Sequence, residues 1–86
     1  MGEEFDTTKY EGTYRTKDFY IASLLYTMGF KLDHKEKIEG DKICYFYFDN
    51  LEGCAKKVDE YFKNNILVDP KLFVDAMRTI KTMIYN

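Results

Sequence analysis

Apolar positions along this chain change their spacing twice, and the changes mark out its elements. Between Phe19 and Met28 they fall at nearly every step: Phe19, Ile21, Ala22, Leu24, Leu25 and Met28. A helix apolar on several sides is sandwiched between other elements, which makes this segment the expected centre of the fold. Thr16 is its expected N-cap, and Asp18 in the first turn complements the helix dipole. Gly29 followed by Phe30 has the form of a Schellman ending. The period then drops to two. Phe30, Leu32, His34, Glu36 and Ile38 alternate with Lys31, Asp33, Lys35 and Lys37, and after Gly40-Asp41, Cys44, Phe46 and Phe48 alternate with Ile43, Tyr45 and Tyr47. This pattern predicts an antiparallel hairpin over 30–39 and 42–49 with one buried face.

The register of that hairpin is contested by its own residues. A two-residue loop with Gly40 first suits a type II′ turn, but it sets the lysine row beside Cys44, Phe46 and Phe48. An odd-length loop sets the lysine row beside Tyr45 and Tyr47 instead. A one-residue slip turns a whole apolar set to the wrong face, so the odd loop is the favoured reading.

Helical spacing returns after the hairpin. The second helix is expected to start at Asp49 or Asn50, and Asp49 with Glu52 resembles a capping box. Leu51, Cys54, Ala55, Val58, Tyr61 and Phe62 form an apolar stripe opposite Lys56, Lys57, Asp59, Glu60 and Lys63, and Asn64-Asn65 ends the helix. Ile66-Leu67-Val68 suggests a brief third strand. Asp69-Pro70 opens the last helix, with Asp as cap and Pro at the first position; Leu72, Phe73, Ala76, Met77, Ile80 and Ile84 form its stripe. Residues Met1 to Arg15 are polar, interrupted by Gly2 and Gly12, and read as a partly ordered arm. Tyr10 and Tyr14 would lie across the domain or add an edge strand. The expectation is an arm over 1–15 and one α+β domain over 16–86, in the order α-β-β-α-(short β)-α, an antiparallel hairpin packed with three helices.

Composition narrows what such a domain does. At 86 residues there is one core and little volume for an enclosed reaction chamber. Phe and Tyr make up 17% of the chain, large side chains that help a small core reach stability. A net charge of -2 argues against general coating of nucleic acid, which needs a positive excess. Cys44 and Cys54 read as small buried hydrophobes; two cysteines make no secreted disulfide framework, and with one histidine no zinc set is expected. The polar, acidic stretch Met1 to Thr8 is no secretory signal, and no apolar run suits a membrane span. The expected setting is cytoplasmic, without a cofactor or metal.

Catalytic candidates are few. A Cys-His pair would have to join His34 to Cys44 or Cys54, yet both thiols sit among apolar neighbours rather than in an electropositive, exposed setting. Asp18, Asp49 and Asp69 have capping or first-turn explanations, Asp59 and Glu60 lie among lysines, and Glu3, Glu4 and Asp6 solvate the terminus. No enzyme is expected. Binding is the better class. With the odd register, one sheet face carries Lys31, Lys35, Lys37, Tyr45 and Tyr47, a mixture of cations and flat rings that suits nucleotide or single-strand stacking. The plainer reading is lysine stems covering exposed rings on a solvated sheet. Arg15, Lys17, Arg78 and Lys81 would extend a basic patch or simply add solubilising charge. Apolar surface in excess of one small core also favours a homodimer.

Two resemblances add to this reading. Thr16-Lys17-Asp18-Phe19-Tyr20-Ile21-Ala22, Leu24-Leu25 and Met28-Gly29-Phe30-Lys31-Leu32, with Tyr45-Phe46-Tyr47-Phe48-Asp49 and Val68-Asp69-Pro70, Phe73, Ala76, Arg78 and Lys81, resemble a family of small bacterial and phage proteins catalogued as a domain of unknown function. That resemblance spans Thr16 to about Tyr85 and implies a prokaryotic or phage context, with no activity to carry over. Lys42 to Phe48 and Asp49 to Asn64 are also similar to the third strand and following helix of RNA-recognition motifs. The glycines between the rings are absent, Met1 to Arg15 holds no counterpart of the first-strand motif, and a further helix follows Asp69. The expected function is a non-enzymatic module of phage or mobile-element origin that binds a partner protein or itself. The alternative is a nucleic-acid or nucleotide binder using the Lys/Tyr face.

Overall fold

A computed structural model describes residues 12–38, 40 and 43–85. Six elements follow in order: β1 (Thr13–Thr16), α1 (Phe19–Thr27), β2 (Leu32–Ile38), β3 (Ile43–Asp49), α2 (Leu51–Phe62) and α3 (Pro70–Tyr85). The strands form one antiparallel sheet in the order β1-β3-β2, so the aromatic strand is central. The class is α+β, as the spacing predicts. The first five elements follow a split βαβ arrangement, with α3 where a closing strand would come.

Two elements differ from the sequence reading. Tyr14 takes the edge-strand alternative, pairing with Phe48, so the sheet begins ahead of residue 16. Met1 to Glu11, including Tyr10, lie outside the described residues. The short strand over Ile66-Leu67-Val68 does not form; this stretch is irregular chain between α2 and α3.

Helix ends follow local chemistry. Asp18, not Thr16, caps α1: its Oδ1 accepts from the N–H groups of Tyr20 and Ile21 at 2.8 and 3.0 Å, while Thr16 Oγ1 accepts from the Asp18 N–H. At the other end Phe30 N–H donates to Leu25 O and Gly29 N–H to Tyr26 O, a Schellman motif with Gly29 at φ 92°. The same motif closes α2, with Asn64 at φ 59° and the Asn65 N–H donating to Glu60 O. The start of α2 is capped by Asn50, whose Oδ1 accepts from Gly53 N–H at 3.0 Å, rather than by an Asp49–Glu52 box. Asp69 Oδ1 accepts from the N–H groups of Lys71 and Leu72, with Pro70 at the first position of α3 as expected.

All three helices contribute to a core on one face of the sheet. Ile21, Ala22 and Leu25 of α1, Cys54 and Val58 of α2 and Ile80 of α3 pack with Cys44, Phe46 and Phe48 of β3. Five consecutive residues of α1, Ile21 to Leu25, are buried, the sandwiched condition that its dense apolar spacing predicts. Ser23 among them donates its hydroxyl to Phe19 O at 2.8 Å, which satisfies the buried polar atom.

The hairpin register overturns the odd loop. Ile38 pairs with Ile43, Lys37 with Cys44, Lys35 with Phe46 and His34 with Tyr47. The spacing is therefore even, and the lysine row shares the inner face with Cys44 and Phe46. Of the proposed Gly40-Asp41 turn, only Gly40 is described, at φ 89°. A β-bulge between Leu32 and His34 then shifts the phase, so that Leu32 stands opposite Phe48 and packs against the core. Were Leu32 to His34 paired regularly, without the bulge, Leu32 would share the outer face with His34 and Glu36.

Candidate interaction surface

The five residues singled out from the pattern do not form one face. Lys31 is exposed just ahead of β2, with its carbonyl accepting from Asp49 N–H. Lys35 is half-buried on the inner face, and its ammonium donates to Met83 O of α3 at 2.6 Å. Lys37 is exposed beside Cys44, at the edge of a cleft of about 720 Å³ between the hairpin and the end of α3, lined also by Ile38, Ile43, Ile84 and Tyr85. Tyr45 and Tyr47 belong to the outer face. The Arg15 guanidinium lies over the Tyr45 ring, 4.5 Å from its centroid. Tyr47 is 1% exposed; its ring stacks on His34 with centroids 4.2 Å apart, and its hydroxyl donates to Glu36 Oε1 at 2.9 Å. The even register sends the lysines and the tyrosines to opposite sides. What gathers on the outer face is Arg15, His34, Glu36, Tyr45 and Tyr47.

The groups considered for catalysis are also kept apart. His34 Nδ1 lies 2.7 Å from Asp33 Oδ2 at the outer face, whereas both cysteines are free, buried and part of the inner core. Burial, with the Asp49 carboxylate nearby, pushes the Cys54 thiol up to about 11, and burial likewise raises Cys44. The Cys54 Sγ points at Asp49 O at 3.4 Å. Thiols held protonated in this way are poor nucleophiles. Among the described residues, no three His, Cys, Asp or Glu side chains gather where a metal ion would fit. Among the described residues, no helix is long and apolar enough to cross a membrane either.

The surface that the pattern misses lies at the corner joining α2 to α3. Phe62 and Leu72 belong to apolar stripes, yet they are 70% and 55% exposed, and Leu67 between them is 95% exposed. Phe62 lines a cleft of about 500 Å³ together with Leu24, Tyr61, Asn64, Ile66, Val68 and Phe73, and Leu67 and Leu72 are chain neighbours of residues in that lining. The cause is geometric. Val58 and Cys54 complete the part of the α2 stripe that reaches the sheet, and Phe62, one turn later, overshoots it. The irregular Ile66 to Val68 stretch turns Ile66 and Val68 toward the cleft and has no strand partner to cover the residue between them. Leu67 therefore faces outward while Ile66 and Val68 are half-buried. Three apolar residues in a row on a short linker are the signal for this surface in the sequence.

Residues 11–86 match the model of a family described as "Domain of unknown function (DUF5659)". No curated protein and no solved structure matches the chain.

Proposed function

We propose, for a chain that belongs to the DUF5659 family, a non-enzymatic binding role exercised through the exposed apolar corner between α2 and α3. The observation that carries this reading is the exposure of Phe62 in the lining of one cleft, with exposed Leu67 and Leu72 next in the chain to residues that line it. Large apolar side chains clustered on a surface mark contact sites, whereas scattered ones need no explanation. Buried, unpaired thiols suit a reducing compartment, in keeping with a cytoplasmic setting. Phage or mobile-element origin belongs to the same reading, through the resemblance of the sequence to small phage and bacterial proteins. Replacing Phe62 by a photoreactive benzoylphenylalanine in cells that express the chain tests it. A covalent adduct formed on illumination supports the role, and its absence at this and neighbouring exposed positions speaks against it.

A second reading has its own support on the outer sheet face, where Arg15 lies on Tyr45 and His34 stacks on Tyr47. A cation laid on a ring, as Arg15 is on Tyr45, beside a stacked ring pair on a sheet suits single-stranded nucleic acid or a nucleotide. This reading predicts affinity for single strands that falls steeply with salt and weakens in Tyr45→Ala. Equal binding by that variant removes the idea.

A further inference from the structure

We infer that the α2–α3 corner pairs with the same corner of a second copy of this chain, in a two-fold contact. The inference rests on the binding role proposed above and supplies its partner.

Shape is the first argument. Leu67 and Phe62 project from the surface immediately beside the cleft that Leu24, Ile66, Val68 and Phe73 help to line. A two-fold axis brings the projection of each copy to the hollow of the other, because residues that touch across such an axis touch twice, reciprocally. The cleft volume of about 500 Å³ exceeds that of a leucine side chain, leaving room for part of the Phe62 ring as well. A knob beside a matching hollow on one patch is self-complementary.

Charge is the second. Around the patch, Lys63 pairs with Asp59 at 3.0 Å, Lys71 with Asp75 at 3.3 Å, and Arg78 lies 3.8 Å from the same Asp75. Each of these cations has an acid on its own helix, so the rim carries interspersed signs. Such a rim offers little steering to a polyanion or an anionic surface, which need a field of one sign. It suits a partner with the same mixed rim.

Area is the third. At their exposures Phe62, Leu67 and Leu72 offer roughly 400 Å². A standard interface takes roughly 800 Å² from each partner, a little over half of it apolar. The corner thus supplies most of the apolar part, enough for a reversible dimer and short of an obligate one.

Sedimentation equilibrium from low micromolar to near-millimolar protein tests the pairing. The expected result is a mass that rises with concentration from 10.3 kDa toward twice that value. Leu67→Asp should weaken the dimer at least tenfold, because it places a carboxylate in the apolar contact. As the side chain is almost wholly exposed, the dilute variant should keep the wild-type circular dichroism and melting temperature. A chain that stays monomeric throughout overturns the inference, as does a dimer that Leu67→Asp leaves equally strong. A monomer whose Phe62 photo-adduct contains a different protein overturns self-pairing and leaves the binding role standing. A monomer with no adduct removes both.

Discussion

The ammonium of Lys35 on β2 donates to the main-chain carbonyl of Met83 in the last turn of α3, across 2.6 Å. The final carbonyls of a helix have no partner within it and carry the negative end of its dipole, so a cation there satisfies both. The contact ties the sheet to the far end of the chain. Lys35→Met keeps the apolar stem and removes the charge; it should cost about 1–2 kcal/mol in urea denaturation. An unchanged midpoint would mean that the bond contributes nothing net.

Tyr45 and Tyr47 share a face and should behave very differently. Tyr47 is buried, so Tyr47→Ala should cost about 3–5 kcal/mol, and Tyr47→Phe, which removes only the hydroxyl bonded to Glu36, about 0.5–1.5 kcal/mol. Tyr45 is half-buried beneath Arg15, and its truncation should cost clearly less. Equal destabilisation by the two alanine variants would contradict the packing of this face.

Two helix ends use the same motif with different residues, which permits a paired test. Gly29 and Asn64 both have positive φ, at 92° and 59°. Gly29→Ala should destabilise by about 1 kcal/mol, whereas Asn64→Gly should be neutral or stabilise by up to about 1 kcal/mol. Thermal melts of the two variants should move in opposite directions or in one direction only for Gly29; a loss of stability at both sites would go against the shared geometry.

Buried thiols give the protein an alkaline limit. In the unfolded chain Cys54 loses its proton near 9.0, while in the folded protein it holds it up to about 11. Between these values the unfolded state binds fewer protons, so stability falls as pH rises. The contribution is whole below 9.0 and gone once pH passes about 11. Cys44 and Tyr14, also raised by burial, act in the same sense. Urea midpoints measured across this range should fall less steeply for Cys54→Ala than for wild type. Parallel curves would locate the alkaline sensitivity elsewhere.

The parts of this fold legible in the residues are those governed by local chemistry. Gly29-Phe30, Asn64-Asn65 and Asp69-Pro70 mark helix boundaries, and the dense apolar spacing of Ile21 to Leu25 marks the sandwiched helix. The N-caps moved by one or two residues because Thr16 and Asp18, like Asp49 and Asn50, are neighbouring acceptors whose competition is settled by chain path. The register was not legible. Both simple alternations fail, since a bulge makes the first half of β2 follow one phase and the second half the other. Phe62 and Leu72 read as core from their stripes, and only the packed positions of α2 and α3 show that they lie beyond the sheet and face solvent.

The extra residue at Asp33 frees the two ends of its strand from each other. Leu32 answers to the hydrophobic interior, while Lys35, Glu36 and Lys37 answer to the helix terminus and solvent near the hairpin tip. Of these, exposed Lys37 can be rewritten most freely, since Glu36 accepts the Tyr47 hydroxyl and Lys35 holds the Met83 carbonyl. Deleting Asp33 should leave Leu32 inward, opposite Phe48 in a regular ladder, whereas regular pairing with Asp33 kept would turn Leu32 outward, so this hairpin should tolerate loss of a residue at the bulge and not within its paired stretches.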